Sequence, residues 1–315
     1  MMNFAAIRDR ILESRTDHAN GKLSKLDLAA RLFESHQVLL EYSKLLNDTS
    51  LKAIEISLDN VYVVSKYGAR FEIDFEDSRS MGLECLNFGS FEGVDEDQII
   101  DIARGCTTFV DIGENIGWYS IHTAILNPSA DIWAFEPMFE NYNRLASNSA
   151  ANNVSKNLVL NKFALDDCCG TRDIYVNQGE KGATSFYNIR KLDNPVTRSI
   201  PTRTLDFLNI PVSPRTLIKI DAEGAEHKII QGALDFISSR RPVIVCEILR
   251  KWSMEAGVHF MTIPNLLFSF NYQMYCGSKE GLELVNSISE ETSQTNFFFI
   301  PKELQVGKSS SFSWG

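Results

Sequence analysis

The sequence predicts an α/β protein: a mostly parallel sheet with helices on both faces, preceded by helical and β accessory segments. Two observations lead there. From about residue 96, short apolar runs alternate with helix-periodic runs, the pattern of a parallel sheet covered on both sides. At the head of that alternation, Phe109-Val110-Asp111-Ile112-Gly113 is an apolar run ending in an acid and a glycine. Glu114-Asn115-Ile116-Gly117 leads from it into a helical pattern from Trp118 to Leu126, and a second apolar run, Ile132-Trp133-Ala134-Phe135-Glu136-Pro137, again ends in an acid.

Taken in order, residues 1–50 read as helical. Leu28, Leu32, Ser35, Leu39, Tyr42 and Leu46 form one stripe, widened by Leu26, Phe33 and Leu40. Such a stripe packs on the main domain, seams a homodimer or closes a lid. Residues 51–95 read as a β accessory segment. Ile54, Ile56 and Leu58 alternate with polar residues, as do Phe71, Ile73 and Phe75, and Tyr67-Gly68-Ala69 supplies a turn between them. The main domain is expected over 96–303. Its strands fall near Thr107–Ile112, Asp131–Phe135, Leu158–Phe163, Leu217–Asp221 and Val243–Glu247, and its helices near Asn115–Leu126, Asn141–Ala151 and Ala225–Ser238. Asn127-Pro128 stops the first helix, and Arg240-Arg241-Pro242 stops the last with cations where the helix dipole favours them. Tyr272–Tyr275 and Asn296–Ile300 read as a closing strand pair, and residues 304–315 as a flexible tail.

Bulk properties narrow the function classes. The chain has 315 residues, 44% of them apolar and 23% charged, enough for a full core. A net charge of −10 argues against nucleic acid, which needs a basic footprint. No run approaches a membrane span, and Arg8, Asp9, Arg10 and Glu13 break up any signal-peptide core. The six cysteines lack the paired spacing of a zinc site and read as free thiols of a cytoplasmic protein.

The strand–turn–helix–strand unit at 109–137 places a helix N-terminus and the acid after the second strand at one crevice. That suits a nucleoside with an anionic or zwitterionic tail, its ribose hydroxyls facing the acid. A dinucleotide fingerprint wants G-x-G-x-x-G, but position 115 is Asn, so a pyrophosphate would not find the bare backbone it needs. Asp111 suits an ammonium better than phosphates. S-adenosyl-L-methionine fits both demands, and a nicotinamide-dependent oxidoreductase is the rival.

Phe109 to Gly117 resembles the first motif of class I S-adenosylmethionine-dependent methyltransferases, whose fold is Rossmann-like. Further segments resemble the FkbM-type family within that class. They are Gly89-Ser90-Phe91-Glu92, Phe135-Glu136-Pro137, Asn161-Lys162-Phe163-Ala164-Leu165, Thr204-Leu205-Asp206 and above all Ile218-Lys219-Ile220-Asp221-Ala222-Glu223-Gly224-Ala225-Glu226. Arg241-Pro242 before a strand ending at Glu247, and Asn296-Phe297-Phe298-Phe299-Ile300-Pro301, complete a likeness that runs from about residue 85 to 301. Two positions depart from the family. Glu114 stands where a small residue is usual, which bears on cofactor affinity, and Asn271-Tyr272 replaces a usual Gly-Tyr.

The resemblance implies O-methylation of a hydroxyl on a sugar, a glycan or glycolipid, or a secondary metabolite. N-methylation on the same fold and a non-catalytic nucleotide-binding or scaffold protein are the alternatives. It implies that Asp111, Gly113, Glu114, Asn115 and Gly117 hold the methionine part of the cofactor. Glu136, with Pro137, would take the ribose hydroxyls; Phe163, Ala164 and Asp166 would border the adenine. Asp221 would lie where the cofactor's reactive end meets the acceptor.

A hydroxyl attacking a sulfonium methyl needs alignment and a general base. Asp221 is the first candidate for that base, and Glu223 or Glu226 the second. Acids at 223 and 226 equally suit the start of a helix. Trp118 and Tyr119 could face the sulfonium or sit in the core. His227 reads as a surface residue. Asp221 and Glu247 both end central strands, but two lone carboxylates do not make a metal site, and no metal is expected. Lys181-Gly182-Ala183-Thr184-Ser185 and residues 250–265 are expected to help wall the acceptor site.

Overall fold

The structure, a computed structural model, describes residues 5–77, 80–176, 184–185, 196–211, 213–255, 257–304, 306–307 and 312–314. The N-terminal helical reading resolves into α1 (Ala5–Ala19) and α2 (Lys25–Leu45), with Ser24 Oγ accepting from the Asp27 N–H at 3.1 Å to cap the second. Of its apolar stripe α2 buries only Leu32 and Ser35, while Leu26, Phe33, Leu39, Leu40 and Tyr42 are exposed. Most of the stripe therefore faces solvent instead of packing on the main domain.

An antiparallel accessory sheet follows: β1 (Leu51–Ile56), β2 (Val61–Ser65) and β3 (Arg70–Glu72), in that spatial order. The sequence reading joined its two alternating runs directly across the 67–69 turn. The structure inserts β2, whose Val61-Tyr62-Val63-Val64 run does not alternate, and leaves Leu58 and Phe75 exposed outside the strands. The segment also holds helix α3 (Met81–Phe88), and α4 (Val94–Gly105) leads into the main sheet.

The main domain begins with β4 (Thr108–Ile112), α5 (Trp118–Leu126), β5 (Asp131–Phe135), α6 (Phe139–Ala151) and β6 (Leu158–Asn161). Next comes a small second sheet that no sequence pattern announced: β7 (Ala164–Leu165), β8 (Gly170–Val176), β9 (Thr184–Ser185) and β10 (Val196–Arg203). The rest is β11 (Thr216–Ile220), α7 (Glu226–Gln231), α8 (Leu234–Arg240), β12 (Val243–Glu247), α9 (Arg250–Glu255), α10 (Thr262–Ser269), β13 (Tyr272–Ser278), β14 (Gly281–Val285) and β15 (Asn296–Pro301). The single helix expected over 225–238 is two. They break at Gly232, where a Cβ would lie 2.0 Å from the Asp166 carbonyl oxygen.

The eight-stranded sheet runs β14-β13-β15-β12-β11-β4-β5-β6. Strands β12, β11, β4, β5 and β6 are parallel; β15 joins β12 antiparallel and pairs with β13 as expected, while β14 adds an edge. This is the expected Rossmann-like α/β fold, with helices on both faces. Alternate strand residues sort into two cores. Phe109, Leu217, Val243 and Val245 pack with Trp118 and Ile121 of α5; Val110, Ile218 and Ile244 pack with Ile229 of α7 and Ile237 of α8. Chain order reverses between β4 and β11, so the two strands' carboxyl ends diverge into a crevice there.

Two contacts are described in the segment expected as a tail. Phe312 bridges to Val306, and Trp314 docks on α4, donating from Nε1 to the Ile102 carbonyl at 2.8 Å. Residues 181–183, expected at the acceptor site, lie outside the described residues.

Candidate functional site

At the β4–β11 crevice lies a cavity of about 440 Å³. Its floor is a close backbone approach. Gly113 (φ 78°) follows β4 so near the chain after β11 that a Cβ would sit 1.8 Å from the Asp221 carbonyl oxygen. The Asp221 N–H donates to the Ile112 carbonyl at 3.0 Å, and the Gly113 N–H to Phe135 at 3.0 Å, locking three strand ends together.

Of the sequence-predicted residues, Asp111, Gly113, Glu114, Asn115, Glu136, Pro137, Ala164, Asp221 and Glu223 line this cavity. Gly117, Phe163, Asp166 and Glu226 do not. Gly117 (φ 101°) turns the chain into α5. Phe163 packs edge-on against Phe135, its ring centroid 5.5 Å away. Asp166 is fully buried and occupied by the Arg172 guanidinium and the Asp167 N–H. Glu226 Oε1 accepts from the Ala222 and Gly224 N–H groups at 3.1 and 3.0 Å, so this acid holds the turn after β11. Burial pushes its carboxyl up to about 7. His227 is half-buried.

Glu136 is buried beside the turn after β4. One carboxylate oxygen accepts from the Asn115 N–H at 3.0 Å and the other from the Met138 N–H at 2.8 Å. Burial raises this carboxyl to about 7, and those N–H groups work against the rise. Asn115 (φ 60°) adopts the left-handed conformation that Asn tolerates. Glu223 does the same at φ 52°, a conformation that costs about 1–3 kcal/mol and is held by its surroundings.

In the sequence Lys219 stands out only as part of a motif, yet in the structure it organises the site. It is the register partner of Asp111 and shares the α5 face of the sheet. Its ammonium lies 3.1 Å from Asp221 Oδ2, 4.0 Å from Glu92 Oε1 and 4.9 Å from the Tyr119 ring centroid. Burial disfavours its charge, but Asp221, Glu92 and Asp111 outweigh that and hold it above the ordinary lysine range. Glu92 in turn accepts from the Tyr119 hydroxyl at 2.6 Å and from Asn296 Nδ2 at 3.1 Å. Tyr119 thus belongs to both the core and the site. A usable signal was present: a lysine inside the apolar run Leu217-Ile218-Lys219-Ile220 is buried, and a buried lysine needs partners.

The remaining lining comes from Glu72, Asp77, Ser80, Met81, Glu84 and Phe91 of the accessory segment, Arg144 of α6, Ile174 and Ile200 of the second sheet, and Glu247 and Leu249. Among the described residues of 250–265 none lines the cavity. The lining carries ten carboxylates against two cations, Arg144 and Lys219, so its potential favours cationic or neutral ligands over anionic ones.

No curated protein matches the chain. Similar solved structures include an FkbM methyltransferase from Methylobacillus flagellatus KT, at 13% identity and TM-score 0.42, covering 84% of this chain and 59% of that one. A SAM-dependent O-methyltransferase from Thermotoga maritima aligns at 10% identity and TM-score 0.36, covering 79% and 85%. TYW2 of M. jannaschii, solved in complex with AdoMet, aligns at 14% identity and TM-score 0.32, covering 80% and 84%. This chain spans 59% of the length of the Methylobacillus protein. The model of the methyltransferase FkbM domain matches residues 111–274, just over half of the chain, and on that match the chain belongs to the FkbM methyltransferase family.

Proposed function

We propose that the protein is an S-adenosyl-L-methionine-dependent methyltransferase whose acceptor is a neutral hydroxyl compound such as a sugar, a glycan or a secondary metabolite. One observation supports it most. Asp111, in strand β4 just before its last residue Ile112, and Glu136, just after the adjacent β5, line the same crevice, on either side of a turn too tight for any residue but glycine at 113. An ammonium and a ribose diol are the groups those two acids suit. The family match supports the reaction type.

In this reading Gly113 and Asn115 border the amino-acid end of the cofactor, Glu136 and Pro137 the ribose, and Ala164 and Leu165 the adenine. Bound cofactor would supply an electrophilic methyl on a sulfonium. The protein's part is to align the acceptor, exclude water and accept a proton. Asp221, paired with Lys219, presents a carboxylate to the cavity and is the first candidate base; Glu223 is the second. Glu226 is committed to the turn and is assigned to structure.

The surplus of acids favours a second reading, N-methylation of an amine such as an amino sugar. It needs no strong base, so turnover insensitive to Asp221→Asn would select it. The six free cysteines fit a reducing compartment, and no described helix is long and apolar enough to cross a membrane. The exposed stripe of α2 is where a homodimer would form; light scattering of wild type and Phe33→Glu tests that.

The primary test is calorimetric titration of S-adenosylmethionine and S-adenosylhomocysteine into wild type, Asp111→Ala and Glu136→Ala. Micromolar binding to wild type, lost in both variants, is the expected result. Folded wild type that binds neither compound overturns the reading.

A further inference from the structure

Glu114, one of the two positions that depart from the family pattern, sits against Asp111 in an arrangement that two ionised carboxylates cannot satisfy. The Ser120 hydroxyl reaches both: it lies 2.9 Å from Asp111 Oδ2 and is also hydrogen-bonded to Glu114 Oε2. A hydroxyl has a single proton and can donate to only one of them. The contacts are all satisfied when one acid carries a proton, for example with Glu114 donating to Ser120 and Ser120 donating to Asp111. All three residues are buried, so water does not screen the two acids from one another. Burial first, and Asp111 second, hold the Glu114 carboxyl well above its ordinary range.

A second feature points to a ligand. Glu114 Oε1 is buried, lines the cavity and has no hydrogen-bond partner among the described residues. An orphaned buried acceptor of this kind marks a place for a donor. Asp111 lines the same cavity.

We propose that Asp111 and Glu114, bridged by Ser120, form a two-carboxylate seat for an ammonium group, and that seating the ammonium releases the proton the pair holds. The inference rests on the S-adenosylmethionine reading above and assigns the seat to the cofactor's amino-acid end. In the empty site the shared proton offsets the like charges. A bound ammonium supplies that positive charge instead, so Glu114 ionises and its proton leaves to buffer. Oε1 then accepts an ammonium N–H.

The surrounding charges are compatible with this assignment. Glu136, beyond β5, adds negative charge to Glu114 and is itself held by the Asn115 and Met138 N–H groups. Lys219 on β11 is next to Asp111 but already pairs with Asp221 and Glu92. On α6, Arg144 is paired with Asp74. The accessory acids Glu72, Asp77 and Glu84 add further negative charge to the cavity. Neither cation is therefore positioned to replace the proton.

The test is calorimetry at pH 6.5 in buffers of different ionisation enthalpy, which counts protons released on binding. S-adenosylhomocysteine carries the ammonium without the sulfonium; 5′-methylthioadenosine carries the nucleoside without the amino-acid end. Wild type should release up to one proton with S-adenosylhomocysteine and markedly less with 5′-methylthioadenosine, which excludes Glu136 as the source. Its affinity should rise by up to about tenfold for each unit by which pH is raised toward the Glu114 pKa, and level off above it. Glu114→Gln, a neutral isostere, should still bind but with release abolished. An independent readout needs no variant: the infrared band of a protonated carboxyl in wild type should bleach on adding S-adenosylhomocysteine.

Binding without proton release, equal release with both compounds, or release that survives Glu114→Gln overturns the inference and leaves the cofactor reading standing. Folded wild type that binds neither compound overturns both.

Discussion

The backbone carbonyl of Asp221 occupies the space where Gly113 would carry a side chain, 1.8 Å from an ideal Cβ. The two residues end neighbouring parallel strands, so this contact sets how closely the walls of the crevice approach. Gly113→Ala adds the clash to a left-handed φ of 78° that alanine disfavours. It should lower stability by at least ~2 kcal/mol and weaken cofactor binding, measured by denaturant unfolding and calorimetry. Unchanged stability would mean that the strand ends are not locked together.

Lys219 neutralises acids that are themselves buried. Lys219→Met leaves Asp221 and Glu92 without their cation and should cost about 3–5 kcal/mol in urea unfolding. Adding Glu92→Gln should recover part of that loss, because one unpaired charge is removed with the lysine. Additive losses in the double variant would show that the two side chains do not interact.

The accessory sheet is fastened to the main domain by amides of α6 and its C-cap, Asn148 and Asn152. Asn152 Oδ1 accepts from the Arg70 N–H at 2.8 Å and its Nδ2 donates to the Arg70 carbonyl at 2.7 Å, while Asn148 Oδ1 accepts from the Glu72 N–H at 3.2 Å. These side chains act as a substitute strand along the β3 edge. Asn152→Ala should cost about 1–3 kcal/mol. Faster hydrogen exchange at Arg70 and Glu72, confined to the accessory sheet, is the expected readout. Exchange that stays slow there would assign the fastening to other contacts.

Glu136 makes stability fall as pH rises. Its carboxyl is raised by burial to about 7 in the folded chain, against the lower value of an exposed glutamate. Below about pH 4.3 it is protonated in both states and imposes no penalty. Between that pH and 7 the unfolded chain ionises first, so its contribution to stability is lost progressively. Glu226 titrates in the same window and in the same direction. Glu136→Gln should therefore gain in melting temperature relative to wild type as pH rises from 4.5 to 7.5. A constant difference across that range would contradict the shift.

The order of the main domain was legible because each central strand carries its own signal. The apolar runs at 108–112, 131–135, 216–220 and 243–247 are buried on both faces and need no alternation, and glycine and acids mark their ends. Asp111, Glu136 and Asp221 were legible for the same reason: a polar residue closing an apolar parallel strand faces the carboxyl edge of the sheet. Strand β2 was missed because its run does not alternate, and the second sheet because β8 and β10 are largely exposed, so no buried face shapes their sequence.

By itself, then, the sequence determined the fold class, the crevice and the acids that close the central strands, since these follow from periodicity and from residues next to one another in the chain. Only the tertiary structure decided which acids share the cavity. Glu226 and Asp166 looked like site residues by position, but backbone N–H groups and Arg172 claim their oxygens. Glu92 and Lys219 meet although they stand 127 positions apart in the chain, and Glu114 meets Asp111 only because α5 brings Ser120 between them. A carboxylate's chemistry depends on what replaces water around it, and those neighbours come from segments that no local pattern in the chain connects.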